Sequence, residues 1–363
     1  MIFRLKAKTI RINKAKGEAE RMSNSYDNQY EFRVATKEDI DSIMQFIGDY
    51  WKADHILSYS KPLFEYEFLE EDGTVNFILA IDRRKGTIEC LNGFLKASHD
   101  ENNLDIWGSI WKVLDGNKGM LGVELIRRRK EMVQCRCDLD VGDNPETAIP
   151  IFKSLLKRYT IKMSHYYMLS ERECYKIAKI LYFPEKKKGK ESYNVIRFNN
   201  INEVKTRYNA EKFKNRIPYK DYWYINHRFF EHPVYNYEVY GIEFNKTIEA
   251  LFVLRNQPYE NSVAVRFVDY IGECTLIRGI GWFLEEYLKK NDRYEYIDFY
   301  CAGMDDKYIR EAGFSALTDN DMNIIPNYFE PFRQENIDIW VDSSEKDSLF
   351  TKADADQDRP NRI

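Results

Sequence analysis

The stretch best suited to chemistry is a glycine-rich run, DGNKGMLG, from Asp115 to Gly122. It follows a strand-like apolar run and precedes the good helix formers of 123–130. Such a loop turns several backbone N–H groups in one direction just before a helix N-terminus, where unpaired amides and the helix dipole favour an anion. The stretch therefore predicts a site for a phosphate or a diphosphate.

Two common nucleotide-binding motifs do not match this loop. A dinucleotide-binding unit needs GxGxxG after the first strand of a parallel sheet, whereas this loop follows the fourth strand of an antiparallel pattern. A P-loop needs Lys and then Ser or Thr at its end, and Val123 follows Gly122 here. The site is therefore expected in another kind of α/β fold.

The elements around the loop alternate between strands and helices. Thr36 begins a helix with an apolar stripe at Ile40, Ile43, Met44 and Ile47. Apolar runs at 75–81 and 87–95 around a polar turn predict a hairpin, and 104–111 adds a strand. After the loop, the pattern predicts strands at 133–141 and 162–169 on either side of a helix that begins at Asn144.

The same order returns in the second part of the chain, with Gly272 at the position of Gly116, and this indicates a structural duplication. The last predicted strand of that part lies near 337–340. The predicted organisation is a disordered or mis-assigned leader at 1–28, domains at 29–183 and 193–341, a charged linker at 184–192, and a disordered polar tail at 342–363. The predicted fold class is α/β, with two tandem domains that each contain a mixed, mostly antiparallel sheet flanked by helices.

This order of elements resembles the GNAT superfamily of acyl-CoA-dependent N-acyltransferases. Their pyrophosphate loop has the form (Arg/Gln)-x-x-Gly-x-(Gly/Ala), and Gly119 stands at its central glycine. Gly116 stands where the family has Arg or Gln, and Leu121 where it has Gly or Ala. The resemblance covers about 30–170 and, more faintly, 193–340.

The resemblance implies acyl-CoA as co-substrate in the first domain. Main-chain groups of Trp111, Lys112 and Val113 would pair with the pantetheine arm, and an amide near Val113 would polarise the thioester carbonyl. The implied cofactor-binding residues of the loop and the next helix are Gly116, Asn117, Lys118, Gly119, Met120, Leu121, Gly122 and Asn144. Phe152 replaces the tyrosine that often protonates the departing thiolate.

An amine acceptor must lose a proton before it attacks, so the implied reaction needs a base. His55 follows the first helix, where the family builds its acceptor side, and Asp105 lies on the fourth strand; these two are the candidate catalytic residues. Asp138 and Asp140 share a strand face, although internal hydrogen bonding is the commoner role for such carboxylates. The basic run 127–130 is a candidate for the 3′-phosphate of coenzyme A, with a solvated helix face as the alternative.

The second domain lacks a comparable loop, because its Arg-Gly-Ile-Gly lies inside an apolar helical pattern. It is expected to shape the acceptor pocket, since aromatic faces stack on bases and Arg or Asn side chains suit a base edge or a diphosphate. The expected substrate-binding residues are Trp107, Tyr224, Arg266, Tyr270, Asn327 and Tyr328. Tandem GNAT chains with one intact loop, and the stretch 324–332, resemble acyltransferases that modify nucleotide-linked amino sugars.

Composition narrows the function classes. Lys and Arg total 55 against 59 Asp and Glu, a formal charge of −4, which disfavours sequence-independent binding of nucleic acid. The six cysteines form no CxxC pair, so no metal is expected, and free thiols without an apolar leader predict the cytoplasm without membrane insertion. The sequence leaves the oligomeric state open, a homodimer included.

Two other functions remain open at this point. The first is an aminoacyl or peptide N-acyltransferase of cell-wall metabolism, which tandem GNAT architecture also supports. The second is a non-catalytic interaction module, which the departures from the loop motif keep open. Binding of acyl-CoA separates the module from the enzymes.

Overall fold

A computed structural model describes residues 26–116, 120–185, 189–318 and 321–362. The chain divides into two compact units. Among the described residues, the first unit comprises those up to Leu95 and those of Gly108–Gln134, and the second comprises Lys96–Trp107 and the residues from Cys135 onward.

Fifteen strands run through the described residues. They are β1 (Tyr30–Thr36), β2 (Thr74–Asp82), β3 (Ile88–Lys96), β4 (Asp105–Val113), β5 (Cys137–Val141), β6 (Tyr159–Lys162), β7 (Ser164–Leu169), β8 (Asn194–Phe198), β9 (Tyr237–Phe244), β10 (Thr247–Tyr259), β11 (Ser262–Gly272), β12 (Tyr294–Ala302), β13 (Ser315–Ala316), β14 (Trp340–Ser343) and β15 (Phe350–Thr351).

The helical segments of the described residues are mostly short. The α-helices are Ile40–Phe46, Ile56–Tyr59, Lys61–Phe68, Leu121–Val133, Ala148–Ser154, Ile201–Arg207, Tyr222–Ile225, Gly281–Lys289 and Asp306–Glu311. Turns of 3₁₀ helix are Lys37–Asp39, Ala210–Phe213 and Cys274–Gly279, and π-helical turns are Ile47–Trp51 and Asn226–Phe230.

The first unit contains an antiparallel meander in the order β1-β2-β3-β4. The predicted hairpin of β2 and β3 is present, with Phe77 opposite Gly93. The apolar stripe that begins at Ile40 is buried, as its helical spacing predicts. Thr36 and Asp39 form a capping box, since the backbone N–H of Thr36 donates to Asp39 Oδ2 at 2.8 Å.

The second unit contains an eight-stranded sheet in the order β8-β9-β10-β11-β12-β7-β13, with β15 paired to β12. Its pairs are antiparallel except β11 with β12, which run parallel. A core of Tyr240, Phe252, Phe267, Leu284 and Phe299 lies between this sheet and the helix Gly281–Lys289. The predicted fold class, mixed α/β with two mostly antiparallel sheets flanked by helices, is confirmed.

Two strands lie beside partners that the sequence did not predict. The segment 162–169 was expected to close the first sheet, but β7 pairs with β12 and β13. The last strand was expected near 337–340 in the second domain, but β14 lies between β5 and β6. The orders β5-β14-β6 and β12-β7-β13 are therefore equivalent, and each contains one strand from the other half of the sequence.

The predicted disorder of 342–363 is wrong for its described residues. Asp342 and Ser343 belong to β14, Phe350 and Thr351 form β15, and the segment 350–354 is buried. The polar side chains that suggested a solvated tail are bonded to other buried groups, which composition alone does not reveal.

Candidate active site

The predicted anion loop joins β4 to the helix Leu121–Val133 within the first unit. Asn117, Lys118 and Gly119 lie outside the described residues. Gly116 has a positive φ of 88° and no atom within 4 Å of an added Cβ, so glycine relieves backbone strain at an open position. The loop and the helix thus have the predicted order.

Gly122 brings the start of the helix against the end of β4. A Cβ on Gly122 would lie 2.7 Å from Val113 Cγ2 and 3.0 Å from the Trp111 indole. A larger residue would force these side chains to shift, so glycine lets the first turn of the helix pack against the Val113 and Trp111 side chains. The positive end of the helix dipole therefore lies beside the end of β4.

Other predicted cofactor residues contribute less than expected. The Met120 amide donates to the Tyr26 hydroxyl at 3.0 Å, and the Leu121 side chain is buried. Lys112 Nζ lies 3.3 Å from the exposed carboxylate of Asp115. Asn144 is exposed, and its Oδ1 accepts the amides of Glu146 and Thr147 in a turn before the next helix. That helix begins at Ala148 with Thr147 as its N-cap, so the predicted helix start at Asn144 is wrong.

The basic run on this helix is mostly engaged internally. Arg128 pairs with Glu124 and Asp27 and lies 3.9 Å over the Phe32 ring. Arg129 is fully buried and donates to Asn92 Oδ1. Arg127 also pairs with Glu124, but about half of its side chain is exposed, which makes it the better candidate of the three for an outer phosphate.

His55 is a helix cap. Its Nδ1 accepts the Leu57 amide at 3.3 Å at the start of the helix Ile56–Tyr59. An Nδ1 that accepts a hydrogen bond carries no proton, so the neutral ring has its proton on Nε2. The nitrogen able to take up a proton is engaged in this cap, and the role of His55 as a base stays a prediction.

Asp105 is also structural, contrary to the prediction. It is completely buried and forms a bidentate pair with Arg136, and its Oδ2 accepts the Tyr219 amide at 2.8 Å. Arg136 also donates to the carbonyls of Lys214 and Arg216. Burial raises the pKa of Asp105, and Arg136 opposes that rise. The carboxylate fastens the segment 214–219 and does not face an acceptor.

Trp107 and Tyr224, both predicted to bind substrate, lie together in the second unit. Their ring centroids are 5.6 Å apart, and Lys220 Nζ lies 5.7 Å from the first ring and 5.3 Å from the second. Both side chains are buried, and Trp107 Nε1 and the Tyr224 hydroxyl have no hydrogen-bond partner within the described part of the chain. The structure therefore brings this predicted pair together with two costly unpaired donors, and its role in acceptor binding stays a prediction.

Arg266, Tyr270 and Asn327 form internal contacts instead of a substrate surface. Arg266 pairs with Asp298 and donates to the carbonyls of Pro326 and Asn327. The Tyr270 hydroxyl donates to the Glu273 carbonyl at 2.7 Å, and all three side chains are buried. The structure does bring Arg266 and Asn327 together, but Arg266 donates to the Asn327 carbonyl and not to a substrate. Tyr328, at 42% exposed, stays available.

A buried cluster around Arg158 was missed at the sequence level. Arg158 contacts Asp138, Asp140 and Asp342, the last from the exchanged strand β14. Burial and the neighbouring Asp140 carboxylate raise the pKa of Asp342 well above its usual range, although Arg158 opposes the rise. The only signal was the alternation of Asp138 and Asp140 on one strand face, because their partners are distant in sequence.

Two further searches bear on the site. Within the described ranges, no cluster of His, Cys, Asp and Glu has the composition of a metal site. No helix in those ranges has both the length and the apolar composition needed to span a bilayer.

The solved structures that resemble this fold include an N-acetyltransferase, a probable N-acyltransferase and an N-myristoyltransferase. A GCN5-related N-acetyltransferase from Anabaena variabilis matches 87% of this chain and 72% of its own, at 9% identity and a TM-score of 0.51. A protein from Enterococcus faecalis, described as a probable N-acyltransferase, matches 86% and 72% at 7% identity and a TM-score of 0.50. The yeast Saccharomyces cerevisiae N-myristoyltransferase with bound myristoyl-CoA matches 87% and 78% at 10% identity, but its TM-score of 0.44 supports no inference.

No protein-family model and no curated protein sequence matches the chain. The likeness to the Anabaena and Enterococcus structures extends over most of the chain. The chain therefore has the two-domain, GNAT-like fold that the sequence predicts.

Proposed function

We propose that this protein is an acyl-CoA-dependent N-acyltransferase. The observation that carries the proposal is the match of almost nine-tenths of the chain to the Anabaena N-acetyltransferase fold. The close approach of Gly122 to β4 supports it locally, because this contact sets a helix N-terminus beside a strand end. The donor would bind in the first unit.

Each part of that site has a defined task in the proposed reaction. The donor supplies an acyl group activated as a thioester. Main-chain groups of 111–113 orient it, and the amides that open the helix Leu121–Val133 hold its phosphates. The acceptor amine attacks the thioester carbonyl directly, and the carbon–sulfur bond breaks as the amide bond forms. The proton that the amine loses passes to solvent, solvent protonates the departing thiolate, and no acyl group is transferred to the protein.

We further propose that the acceptor is the amine of a nucleotide-linked amino sugar. Trp107, Tyr224 and Tyr328 remain its aromatic candidates, because an aromatic face suits both a base and a sugar ring. Arg266, Tyr270 and Asn327 are withdrawn from this role because their polar atoms are engaged inside the second unit.

Donor binding is tested by calorimetry with acetyl-CoA and longer acyl-CoAs. We expect one binding event, which Gly119→Glu abolishes through negative charge next to phosphate and Gly119→Gln weakens less at nearly equal size. An absence of heat with every donor would contradict the enzyme and favour the interaction module. Equal affinity of both variants and the parent would remove the loop from the site.

The acceptor is tested by thiol release from acyl-CoA in the presence of candidate amines. The panel contains UDP-, dTDP- and GDP-linked amino sugars, the free amino sugars as matched controls, and a peptide with a free amine. We expect turnover with a nucleotide-linked sugar and none with its free counterpart. Turnover with the peptide alone would transfer the proposal to a peptide N-acyltransferase.

A further inference from the structure

Strands β11 and β12 of the second unit begin side by side and then separate. Their parallel pairing runs from Val263 opposite Tyr294 to Phe267 opposite Phe299. β11 continues to Gly272 and β12 to Ala302 without further pairing between them. Separated strands expose backbone groups on their facing edges, and these groups need partners when they are buried.

The segment 349–355 supplies those partners. Thr351 lies opposite Cys301 and Phe350 opposite Ala302, antiparallel to β12. On the other side, the Ala353 amide donates to the Val268 carbonyl at 2.7 Å. The segment thus pairs with both edges of the opening, as an added strand does.

Buried charges fix the segment in register. Lys220 Nζ lies 2.6 Å from Asp269 and 2.7 Å from Asp354, and the Thr351 hydroxyl donates to Asp269 at 2.7 Å. On the opposite face, Lys352 Nζ donates to Asn327 Oδ1 at 2.6 Å. The alternation of Thr351 and Lys352 is that of a strand with two buried faces.

The segment is bounded by a surface turn on one side and an anchor on the other. Glu345, Lys346 and Asp347 are exposed. Beyond the segment, Asp358 pairs with the buried Arg255. A piece of chain that enters from an exposed turn and pairs through its main chain has the form of a bound peptide.

We propose that the second half contains a binding cleft for an extended, main-chain-pairing ligand, and that residues 349–355 of the same chain are that ligand. This cleft follows β11, the fourth strand of the second half. In the first half, the proposed function places the pantetheine arm at the corresponding position, after β4. To that extent the inference rests on the proposed function. Because the second cleft is filled by the chain itself, the inference predicts that each chain binds one acyl-CoA.

The first experiment cuts the full-length chain within its exposed turn. A protease site is inserted at 345–347, and the folded protein is cleaved there. The cleaved protein, with its carboxyl-terminal piece still bound, is then incubated with an excess of labelled peptide 345–363 in urea below its unfolding transition. Exchange of the bound piece for the labelled peptide is measured. We expect one equivalent of label per chain. No incorporation up to the transition would show that the segment is an inseparable part of the core and would overturn the inference.

The second experiment tests main-chain pairing. A peptide N-methylated at Ala353 loses the bond to Val268, and we expect it to compete at least about tenfold more weakly than the parent, the value of one buried hydrogen bond. N-methylation at the exposed Lys346 is the matched control and should leave competition unchanged. Equal competition by both peptides would overturn the inference.

Calorimetry separates this inference from the proposed function. The intact chain should bind one equivalent of acyl-CoA, and two equivalents would show that the second cleft is open and overturn the inference. An absence of acyl-CoA binding would contradict the proposed function, whereas the peptide results would still decide whether the cleft binds the segment.

Discussion

Single residues with reactive side chains are mostly structural in this protein. Sequence reasoning selected His55 and Asp105 by type and position, but one caps a helix and the other pairs with Arg136. Their partners could not be predicted, because Arg136 and Tyr219 come from segments distant from Asp105 in sequence. Gly122 and the pair of Trp107 with Tyr224 carry more of the site.

Asp105→Asn should destabilise the second unit without a direct effect on chemistry. The amide cannot form the ion pair and leaves Arg136 largely buried beside two carbonyls, so we expect a loss of about 2–4 kcal/mol. Urea denaturation measures it, with the exposed Asp115→Asn as control at under about 0.5 kcal/mol. A parent-like unfolding midpoint together with a large fall in kcat would restore Asp105 as a catalytic residue.

Lys352 should make stability depend on pH above neutrality. Burial, with Arg266 and Arg255 nearby, lowers its pKa to about 7 despite Asp358 and Asp298. Between that value and the unfolded pKa near 10.4, the unfolded chain binds the extra proton, so stability should rise with pH. From pH 7.5 to 9 we expect a gain of about 1–2 kcal/mol over Lys352→Met, measured by urea denaturation. Parallel pH profiles of the two proteins would contradict this assignment.

Elements were more predictable than contacts between residues. Helical spacing located the stripe at Ile40, and apolar runs around a polar turn located β2 and β3, because both patterns are local. Strand neighbours are not local. The composition of β7 and β14 indicates strands but does not say which sheet edge each one joins.

Gly122→Ala tests the contact between the helix and β4. The new methyl would lie too close to Val113 and Trp111, so we expect a loss of about 1–3 kcal/mol in spite of the better helix propensity of alanine. Acyl-CoA affinity should fall several-fold as the helix start moves away from the strand. Arg127→Ala on the exposed face of the same helix is the stability control. An equal loss of unfolding free energy in both variants would disprove the packing explanation.

At the scale of the whole molecule, each of the two sheets contains one strand from the other half of the sequence. The orders β5-β14-β6 and β12-β7-β13 show this directly. A boundary at 184–192 looked natural because that stretch is charged and contains Gly and Pro. The composition of 184–192 identifies a connecting segment. It does not reveal that β7, before this segment, and β14, after it, each pair with strands of the other half.

Separate fragments 1–183 and 193–363 should therefore not fold alone. The first lacks β14 beside β5, and the second lacks β7 beside β12, so each would expose open strand edges and aggregate. Co-expression should give a soluble one-to-one complex, detected by gel filtration and mass spectrometry. A cooperative thermal transition from either fragment in isolation would contradict the exchange.

The position of β14 in the sequence also determines when its sheet can be completed during synthesis. Domains generally fold in order as they leave the ribosome, amino-terminal part first. Here β14 pairs with both β5 and β6, so their sheet stays incomplete until Ser343 has been synthesised. Until then the unpaired edges of β5 and β6 are exposed to mispairing.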